Sequence, residues 1–378
     1  LSLLSYIAWS LNTITGTLPF EIGSMTNITF IGVSYNSMEG TLPSSLANLS
    51  QMKFFSCRYN YFSAPEDTLV SIAKLPLLDA FLINRNMFSG DFQNVQFAPT
   101  LQLLRLSDNY FTGSYLLENI CNLDMIVEVS ISNNQFSGVI PSCVGNWSVI
   151  RTLDVGYNQF IGTIPTVFQQ FSSMVRLVVE SNSFTGSVGN MFSANHSIQT
   201  VVLSDNDFTG SLPDAAFDST SLTTFIGSKN CFSGSLSTAI CSAVNLQTLA
   251  LSGLTAGSSC DNFGWLGLGY TYTKSVEGSI PACLFGMTEL QQLYLAGNGI
   301  ESRLVDFALL NISLAYNRLS GAIPASVQSR PGLQLLDLSF NRLLGTIEQM
   351  TNYSMAGGET DIDITLADNH LSGSIPAV

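Results

Sequence analysis

LDVGYNQFIGTIP, residues 153–165, recurs with small changes along almost the whole chain. Its Asn158 belongs to a series of asparagines that mostly lie 24 residues apart, and we call this series the asparagine ladder. A period of this length is typical of repeat proteins, in which each unit buries its apolar side only by packing on the next. The sequence therefore predicts a stack of similar coils rather than two or three globular domains. The ladder consists of Asn12, Asn36, Asn60, Asn86, Asn109, Asn134, Asn158, Asn182, Asn206, Asn230, Asn298, Asn317, Asn341 and Asn369.

Apolar residues alternate before each ladder asparagine. Leu153 lies five residues and Val155 three residues before Asn158, and this alternation predicts a short strand with one buried face. Trp9 occupies the second of these positions in the first unit, so it is expected in the core. The asparagine amide is expected to bond backbone groups of adjacent coils. A phenylalanine follows two residues later in eight successive units and predicts an interior column of rings: Phe62, Phe88, Phe111, Phe136, Phe160, Phe184, Phe208 and Phe232.

The pattern resembles the plant-type leucine-rich repeat, L-x-x-L-x-L-x-x-N-x-F-x-G-x-I-P, over essentially the whole chain. The resemblance implies an α/β-type repeat solenoid, a right-handed superhelix with one parallel sheet on its concave face. Its outer wall is expected to be mostly irregular or 3-10 helical. We expect a single solenoid over residues 1–378, with about fifteen coils of roughly 24 residues and an arc of roughly 70 Å at ~4.8 Å per coil.

The repeat is interrupted most strongly after Leu251, where roughly twenty extra residues span 255–274. This insertion contains Cys260 and several aromatic residues, and it is interpreted as an ordered flap on the solenoid. Similar cysteine-flanked insertions occur in leucine-rich repeat proteins of algae and diatom-like protists. Neither end shows the cysteine-paired cap that the family usually carries. Both ends are therefore interpreted as uncapped, which predicts either a longer chain or self-association through the ends.

The cysteines divide by their distance from the first apolar residue of the next strand. Cys121 and Cys241 lie five residues before that apolar residue, and Cys143 and Cys283 lie seven residues before it. This repeated spacing predicts two pairs between adjacent coils. Two more lie just beyond strand ends in neighbouring coils and are assigned to a third pair. Cys57 occupies a strand position and is expected to be a buried thiol, while six reduced thiols at the other positions are the alternative. The predicted disulfides are Cys121–Cys143, Cys241–Cys283 and Cys231–Cys260.

Six Asn-x-Ser/Thr sequons predict N-linked glycans. Four of them precede a ladder asparagine by 9 to 12 residues, on the expected outer wall, whereas Asn311 falls at the rim of the sheet. Disulfides, outer-wall sequons and a charged content of only 11% indicate the secretory pathway and an extracellular or cell-surface location. The sequons begin at Asn27, Asn48, Asn146, Asn195, Asn311 and Asn352.

Acidic residues outnumber basic ones by 27 to 13, for a net charge of −14. Phosphate recognition requires clustered Lys and Arg, and anionic lipid attracts the same side chains, so neither nucleic acid nor a membrane surface is an expected partner. No apolar run approaches the ~20 residues that cross a bilayer. The first residues also lack the basic region of a cleavable signal peptide.

Catalytic and metal-binding patterns are sparse in this sequence. Its two histidines, His196 and His370, suggest neither a nucleophile–base arrangement nor a metal site. Asp361 and Asp363 form an acidic pair that is interpreted as solvated rather than as metal ligands. We therefore expect no catalytic residues, no cofactor, no metal and no enzyme activity.

Large side chains concentrate at outward-facing positions of three neighbouring units. Arginine beside aromatic residues is the composition of a binding hot spot, although ordinary exposed residues are the alternative interpretation. The leading hypothesis is a non-enzymatic extracellular recognition module that binds a protein, peptide or glycan on the concave face. The alternative is a structural glycoprotein subunit of a fibre or cell-surface matrix. The candidate ligand-binding residues are Arg58, Tyr59, Tyr61, Arg85, Arg105 and Tyr110.

Overall fold

The computed structural model describes residues 4–93, 95–189, 191–192, 197–254, 260, 276–307, 309–328, 332–347 and 362–374. The chain divides into two compact units, Leu1–Phe184 and Thr185–Val378. Each unit consists of coils with one plan: a three-residue strand, a turn with the ladder asparagine, a second short strand and a return segment. The expected flap at 255–274 lies outside the described residues apart from Cys260.

The first strand of each coil forms a parallel ladder, and we call the outer surface of this sheet the main-sheet face. Ile31 pairs with Ile7 on one side and Phe55 on the other, and all three side chains are buried. In the first unit these strands are Tyr6–Ala8, Phe30–Gly32, Phe54–Ser56, Ala80–Leu82, Leu103–Arg105, Glu128–Ser130, Thr152–Asp154 and Arg176–Val178. In the second unit they are Thr200–Val202, Thr224–Ile226, Thr248–Ala250, Gln292–Tyr294, Asn311–Ser313, Leu335–Asp337 and Asp363–Thr365.

The second strands also pair in parallel with those of the neighbouring coils. In the first unit they are Thr15–Gly16, Ser37–Thr41, Tyr61–Ser63, Ser89–Gly90, Tyr110–Gly113, Gln135–Gly138 and Gln159–Thr163, and Ser183–Ser187 includes the boundary between the units. In the second unit they are Asp207–Gly210, Cys231–Phe232, Gly234–Ser235, Val276–Gly278, Gly299–Ile300, Ser320–Ala322, Arg342–Thr346 and His370–Ser372.

Short helices form the return segments, and we call this side of each unit the helical wall. Several begin directly after a proline, whose fixed φ and missing N–H suit the start of a helix. The 3-10 helices are Phe20–Ser24, Ser44–Asn48, Ser142–Asn146, Thr166–Gln170 and Thr238–Ser242. The α-helices are Glu66–Ala73, Leu116–Asn119, Asp214–Phe217, Ala282–Phe285 and Ala325–Gln328.

The phenylalanine column is interior, as the sequence predicts. All eight rings are buried, and Phe160 stacks on Phe184 with ring centroids 6.1 Å apart. In the second unit Phe208 and Phe232 stack at 6.4 Å. The prediction was wrong for Trp9, which is 43% exposed. Trp9 belongs to the first coil, where the described residues pack on it from one side only.

The asparagine ladder joins each coil to the one before it. The Nδ2 of Asn60 donates to the carbonyl of Cys57 in its own coil and to that of Val33 in the preceding coil, both at 3.0 Å. Its Oδ1 accepts the backbone N–H of Met38 at 3.0 Å. An amide is suited to this position because it supplies two donors and an acceptor to buried backbone groups. The same bonds recur at other ladder asparagines, including Asn36 and Asn369.

The structure contains the disulfides Cys121–Cys143, Cys231–Cys260 and Cys241–Cys283, the same three pairs that the register of the cysteines predicts. Cys57 is a free thiol with no exposed surface. Burial raises the pKa of the Cys57 thiol, so it is protonated and unreactive at physiological pH.

Candidate ligand-binding surface

The residue before each ladder asparagine has a left-handed backbone. In four adjacent coils of the first unit this residue is Tyr35, Tyr59, Arg85 or Asp108, with φ between 55° and 58°, and we call these four the rim row. Bulky residues adopt this conformation only at a cost of about 1–2 kcal/mol each, so the surrounding backbone must impose it. It does so through cross-coil bonds, such as the Tyr59 N–H donating to the Asn84 carbonyl at 3.0 Å.

In part of the first unit the residue after the ladder asparagine points outward, because the phenylalanine that follows it points inward. In three adjacent coils this residue is Tyr61, Met87 or Tyr110, and we call these three the flank row. Their exposed fractions are 59%, 52% and 55%. A contiguous row of large apolar side chains in solvent is unusual for a surface that contacts nothing.

A shallow groove of about 670 Å³ lies along both rows, and we call it the rim groove. It is lined by the rim row and the flank row, and ladder asparagines including Asn60 and Asn86 also border it. Those two amides are buried and their hydrogen bonds are made with the backbone. Ligand contacts must therefore come mainly from the side chains of the two rows and from the exposed Ser37.

Arg85 is held in place within the rim row. Its guanidinium carbon lies 4.8 Å from the centre of the Tyr59 ring, and its Nε donates to Asp108 Oδ2 at 3.1 Å. The Tyr59 ring in turn stacks on Tyr35, with centroids 4.1 Å apart. A hydrogen bond with the Tyr35 side chain, and then partial burial, raises the pKa of Tyr59, so the phenol stays neutral. The row thus presents one oriented cation between aromatic rings and a carboxylate.

Arg58 lies on the main-sheet face beside this row. Its guanidinium carbon is 5.4 Å from the centre of the Tyr35 ring. Its Nε is buried without a hydrogen-bond partner, as is the Oδ1 of Asn84 at the same register in the next coil. Arg58 therefore packs against the back of the aromatic pair and does not line the rim groove.

Arg105 pairs with Glu128 and does not line the rim groove. Its Nε and an Nη donate to the two carboxylate oxygens of Glu128, each at 2.7 Å, and this bond raises the pKa of Arg105. Such a bidentate pair is geometrically well matched. Tyr59, Tyr61, Arg85 and Tyr110 are thus brought together in the rim groove, while Arg58 and Arg105 are not. The candidate set from the sequence left out Tyr35, Met87 and Asp108, although their register next to a ladder asparagine was a usable signal.

A second aromatic row lies at the start of the main-sheet strands. Tyr6, Phe30 and Phe54 form a continuous stack with centroid separations of 4.1 and 4.4 Å. The Phe30 ring leans over Gly32, where a Cβ would come within 2.9 Å of it. This stack gives the first three coils an apolar edge on the main-sheet face, across the sheet from the rim row.

The described residues offer little else that resembles a chemical site. Among them, no group of three or more His, Cys, Asp or Glu side chains is placed to hold a metal ion. Within the same residues no helix is long and apolar enough to cross a bilayer. Asp361 lies outside them, as do the sequons at Asn195 and Asn352 and the histidine His196.

The comparisons with known proteins agree with this architecture. The family model for the leucine-rich repeat matches residues 125–147. A crystal structure of a TDR receptor is 22% identical with a TM-score of 0.80, and the match covers 100% of this chain and 62% of that one. The Arabidopsis receptor kinase HAESA, crystallised with the peptide hormone IDA and the co-receptor SERK1, is 25% identical with a TM-score of 0.76, covering 99% and 63%. The plant peptide hormone receptor RGFR1, in complex with RGF2, is 24% identical with a TM-score of 0.68, covering 91% and 64%.

The fold of the chain is the leucine-rich repeat solenoid, and the leucine-rich repeat family model matches it over residues 125–147. It spans less than two thirds of the length of each of these three receptor chains. No curated protein sequence matches it significantly.

Proposed function

We propose that this chain is a non-enzymatic extracellular recognition module that binds an extended peptide segment in the rim groove. The observation that carries the proposal is the pair of rows in the first unit, where four adjacent coils place large side chains along one groove. The similarity to HAESA and RGFR1, whose structures contain peptide hormones, supports a peptide as the ligand class. The disulfides support an extracellular location.

The dimensions of the groove suit a short stretch of extended chain. Neighbouring coils lie ~4.8 Å apart, so the three steps from Tyr35 to Asp108 cover roughly 14 Å. An extended peptide rises ~3.3 Å per residue, so about four residues would span this distance. Alternate side chains of such a peptide would meet the flank row, while the others would point away into solvent.

The chemistry of the two rows differs, and this difference would orient a ligand. The flank row offers two phenol rings, which contact apolar side chains at low entropic cost, and a flexible thioether that adapts to irregular shapes. The rim row offers the Arg85 guanidinium, whose pairing with the half-buried Asp108 remains open to solvent and is therefore weak. A ligand carbonyl or carboxylate could share this cation without leaving a buried charge unpaired. The chain's net charge of −14 would limit binding of acidic molecules elsewhere.

A displayed library of random peptides tests this proposal directly. Peptides selected on the wild-type chain should bind at least about tenfold more weakly to Tyr61→Ala, since aromatic anchors of this kind contribute 1.4 kcal/mol or more. Tyr157→Ala is the matched control, because Tyr157 has a similar exposed fraction of 54% and lies in a coil outside the groove.

Selected peptides that bind both variants equally well would contradict the groove as the site. Filaments or sheets formed by the purified chain, with Tyr61 still in open solvent, would instead favour a structural subunit of a matrix.

A further inference from the structure

We propose that Asn48 and Asn146 are N-glycosylation sites and that the helical wall of the first unit is a glycosylated surface. The proposal rests on the extracellular location stated under the proposed function. The modifying group is an oligosaccharide delivered by the secretory pathway. The sequon motif alone does not distinguish these two asparagines from Asn311. Their exposure and their position in the coil do.

The two sites occupy the same place in their coils. Asn48 ends the 3-10 helix Ser44–Asn48, and Asn146 ends the 3-10 helix Ser142–Asn146. In both, the N–H of the sequon serine donates to the carbonyl of the asparagine itself, at 2.9 Å for Ser50 and 2.8 Å for Ser148. The two sequons therefore have one backbone geometry, created by the repeat and not by chance.

Burial within each sequon follows a fixed order. The middle residue, Leu49 in one and Trp147 in the other, has no exposed surface and anchors the segment in the core. The Trp147 indole N–H also donates to the Ile120 carbonyl at 3.1 Å. The asparagine and the serine on either side are exposed. A bulky substituent on the asparagine amide would therefore extend into solvent without disturbing the core.

The modification changes one bond at the asparagine. The Nδ2 atom forms a bond to the anomeric carbon of a lipid-pyrophosphate-linked oligosaccharide, and the bond from that carbon to the pyrophosphate oxygen breaks. The lipid pyrophosphate leaves with the electron pair, and the amide loses one proton. One N–H remains on the amide. Asn146 uses only one, at 3.4 Å to the Cys121 carbonyl, so this contact is compatible with a glycan.

Asn311 has the opposite setting. It is the first residue of the main-sheet strand Asn311–Ser313 and is only partly exposed. Its Nδ2 donates to Gln334 Oε1 at 3.0 Å, a bond that the one remaining N–H could keep, so the difference from Asn146 lies in the place of Asn311 on the sheet. An oligosaccharide on this nitrogen would lie on the main-sheet face, against the neighbouring strand Leu335–Asp337. We therefore assign no glycan to Asn311, while Asn27, three residues beyond the end of its own helix, stays a sequence prediction.

The repeat supplies a matched site for a gain-of-function test. The helix Thr166–Gln170 ends at the same place in its coil, and the Ser172 N–H donates to the Gln170 carbonyl at 2.9 Å. Phe171 is buried there as Leu49 is in its coil, and Gln170 is exposed. The substitution Gln170→Asn completes a sequon with Phe171 and Ser172. It should therefore acquire a glycan with the geometry of the two native sites.

The test is glycopeptide mass spectrometry on the full chain secreted from a eukaryotic host. Most copies are expected to carry a glycan at Asn48 and Asn146 and few at Asn311. Asn48→Gln and Asn146→Gln should each lose one glycan, and Gln170→Asn should gain one. Unmodified Asn48 and Asn146 in the secreted folded chain, or a predominantly modified Asn311, would overturn the proposal.

The same sample separates this proposal from the proposed function. Enzymatic removal of the glycans should leave the affinity for library-selected peptides within about twofold, because the sites lie on the helical wall and the rim groove lies beside the main sheet. Peptide binding that fails while both asparagines are glycosylated would count against the recognition function alone. A large change in peptide affinity on deglycosylation would count against the separation of the two surfaces.

Discussion

Two sets of coils share one backbone and differ in what they present to solvent. In the first unit Tyr59 and Arg85 precede ladder asparagines with φ of 55° and 58°, and in the second unit Asp205 and Lys229 do so with φ of 56° and 52°. The ladder bonds are also alike, since Asn86 and Asn230 each accept a backbone N–H and donate to carbonyls of two coils. The turn is therefore fixed by the ladder and is indifferent to the side chain that it displays.

The residue after the ladder asparagine differs between the two units. In the first unit this position holds the exposed Tyr61, Met87 and Tyr110. In the second unit Asp207 is buried and Cys231 is part of a disulfide with Cys260. In this repeat the residues that recur in every coil form the fold. The variable positions on either side of the asparagine do not determine the fold and are available for a ligand.

Phe160→Ala should lower the free energy of unfolding more than any other change, because it removes a ring from the interior phenylalanine column, which both units contain. Phe160 is 2% exposed and stacks on Phe184. Its neighbours are fixed by adjacent coils and cannot collapse into the cavity, so the free energy of unfolding should fall by about 3–5 kcal/mol. Denaturant unfolding measures this loss, and a value below about 1 kcal/mol would mean that the ring is not a main packing element.

Removing the Cys121–Cys143 disulfide should lower stability by about 2–4 kcal/mol, because the unfolded chain gains freedom when the loop between the cysteines opens. The double variant Cys121→Ser/Cys143→Ser avoids a lone thiol, and its unfolding free energy can be compared with that of the wild type under oxidising conditions. Peptide mapping without reductant checks all three pairs. Cys260 joined to Cys283 would show that the register argument is wrong.

Asn86→Ala and Asn230→Ala compare the ladder in the two sets of coils. Each substitution leaves a buried N–H, of Phe62 or Phe208, and several buried carbonyls without partners. We expect each variant to lose about 2–4 kcal/mol of unfolding free energy, since each unsatisfied buried group costs about 1–3 kcal/mol and relaxation recovers part of it. Losses that differ by more than about 2 kcal/mol would contradict a common role for the ladder.

Arg85→Ala and Lys229→Ala compare what the two sets of coils display. Both side chains are exposed, and both precede a ladder asparagine with a left-handed backbone. Arg85→Ala should weaken binding of library-selected peptides by about 1–3 kcal/mol without lowering the unfolding temperature, whereas Lys229→Ala should leave binding unchanged. Titration calorimetry and thermal unfolding measure the two quantities. Equal effects of both substitutions would remove the distinction between the two regions.

Asp154→Asn should have the smallest effect, and its sign depends on pH. Burial raises the pKa of Asp154, so the folded chain binds this proton more tightly than the unfolded chain does. Stability from this group is present below the unfolded pKa of about 3.9 and is lost as pH rises through the folded value. The variant should therefore be more stable by less than about 1 kcal/mol at neutral pH, and the gain should vanish in acid. Unfolding at several pH values tests this, and a less stable variant at neutral pH would contradict it.

The repeat was readable from the sequence because its constraints are local and periodic. Val155, Asn158 and Phe160 recur at fixed spacing, and a coil that must stack on its neighbours tolerates few substitutes at those positions. The same register identified the cysteine partners and the buried Cys57. Trp9 was misjudged because the pattern describes a coil with neighbours on both sides, and the first coil has a described neighbour on only one.

The candidate site was only partly readable. Register alone placed Tyr59, Tyr61, Arg85 and Tyr110 near one another, and all four line the rim groove. It gave Arg105 the same status, yet Arg105 pairs with the carboxylate of Glu128 in the next coil through its Nε and one Nη. The repeat period determines the backbone position of each residue in its coil, but it does not determine which of several neighbours the side chain contacts.

The sequence by itself thus determined the leucine-rich repeat coil, its asparagine ladder and its interior, since backbone hydrogen bonding and apolar burial dictate these from a few invariant positions. Only the tertiary structure decided that Tyr35 stacks on Tyr59, that Arg85 rests between Tyr59 and Asp108, and that Asn311 is engaged while Asn48 is exposed. These contacts join residues in different coils. They depend on rotamers and on competition among nearby partners, which no single repeat encodes.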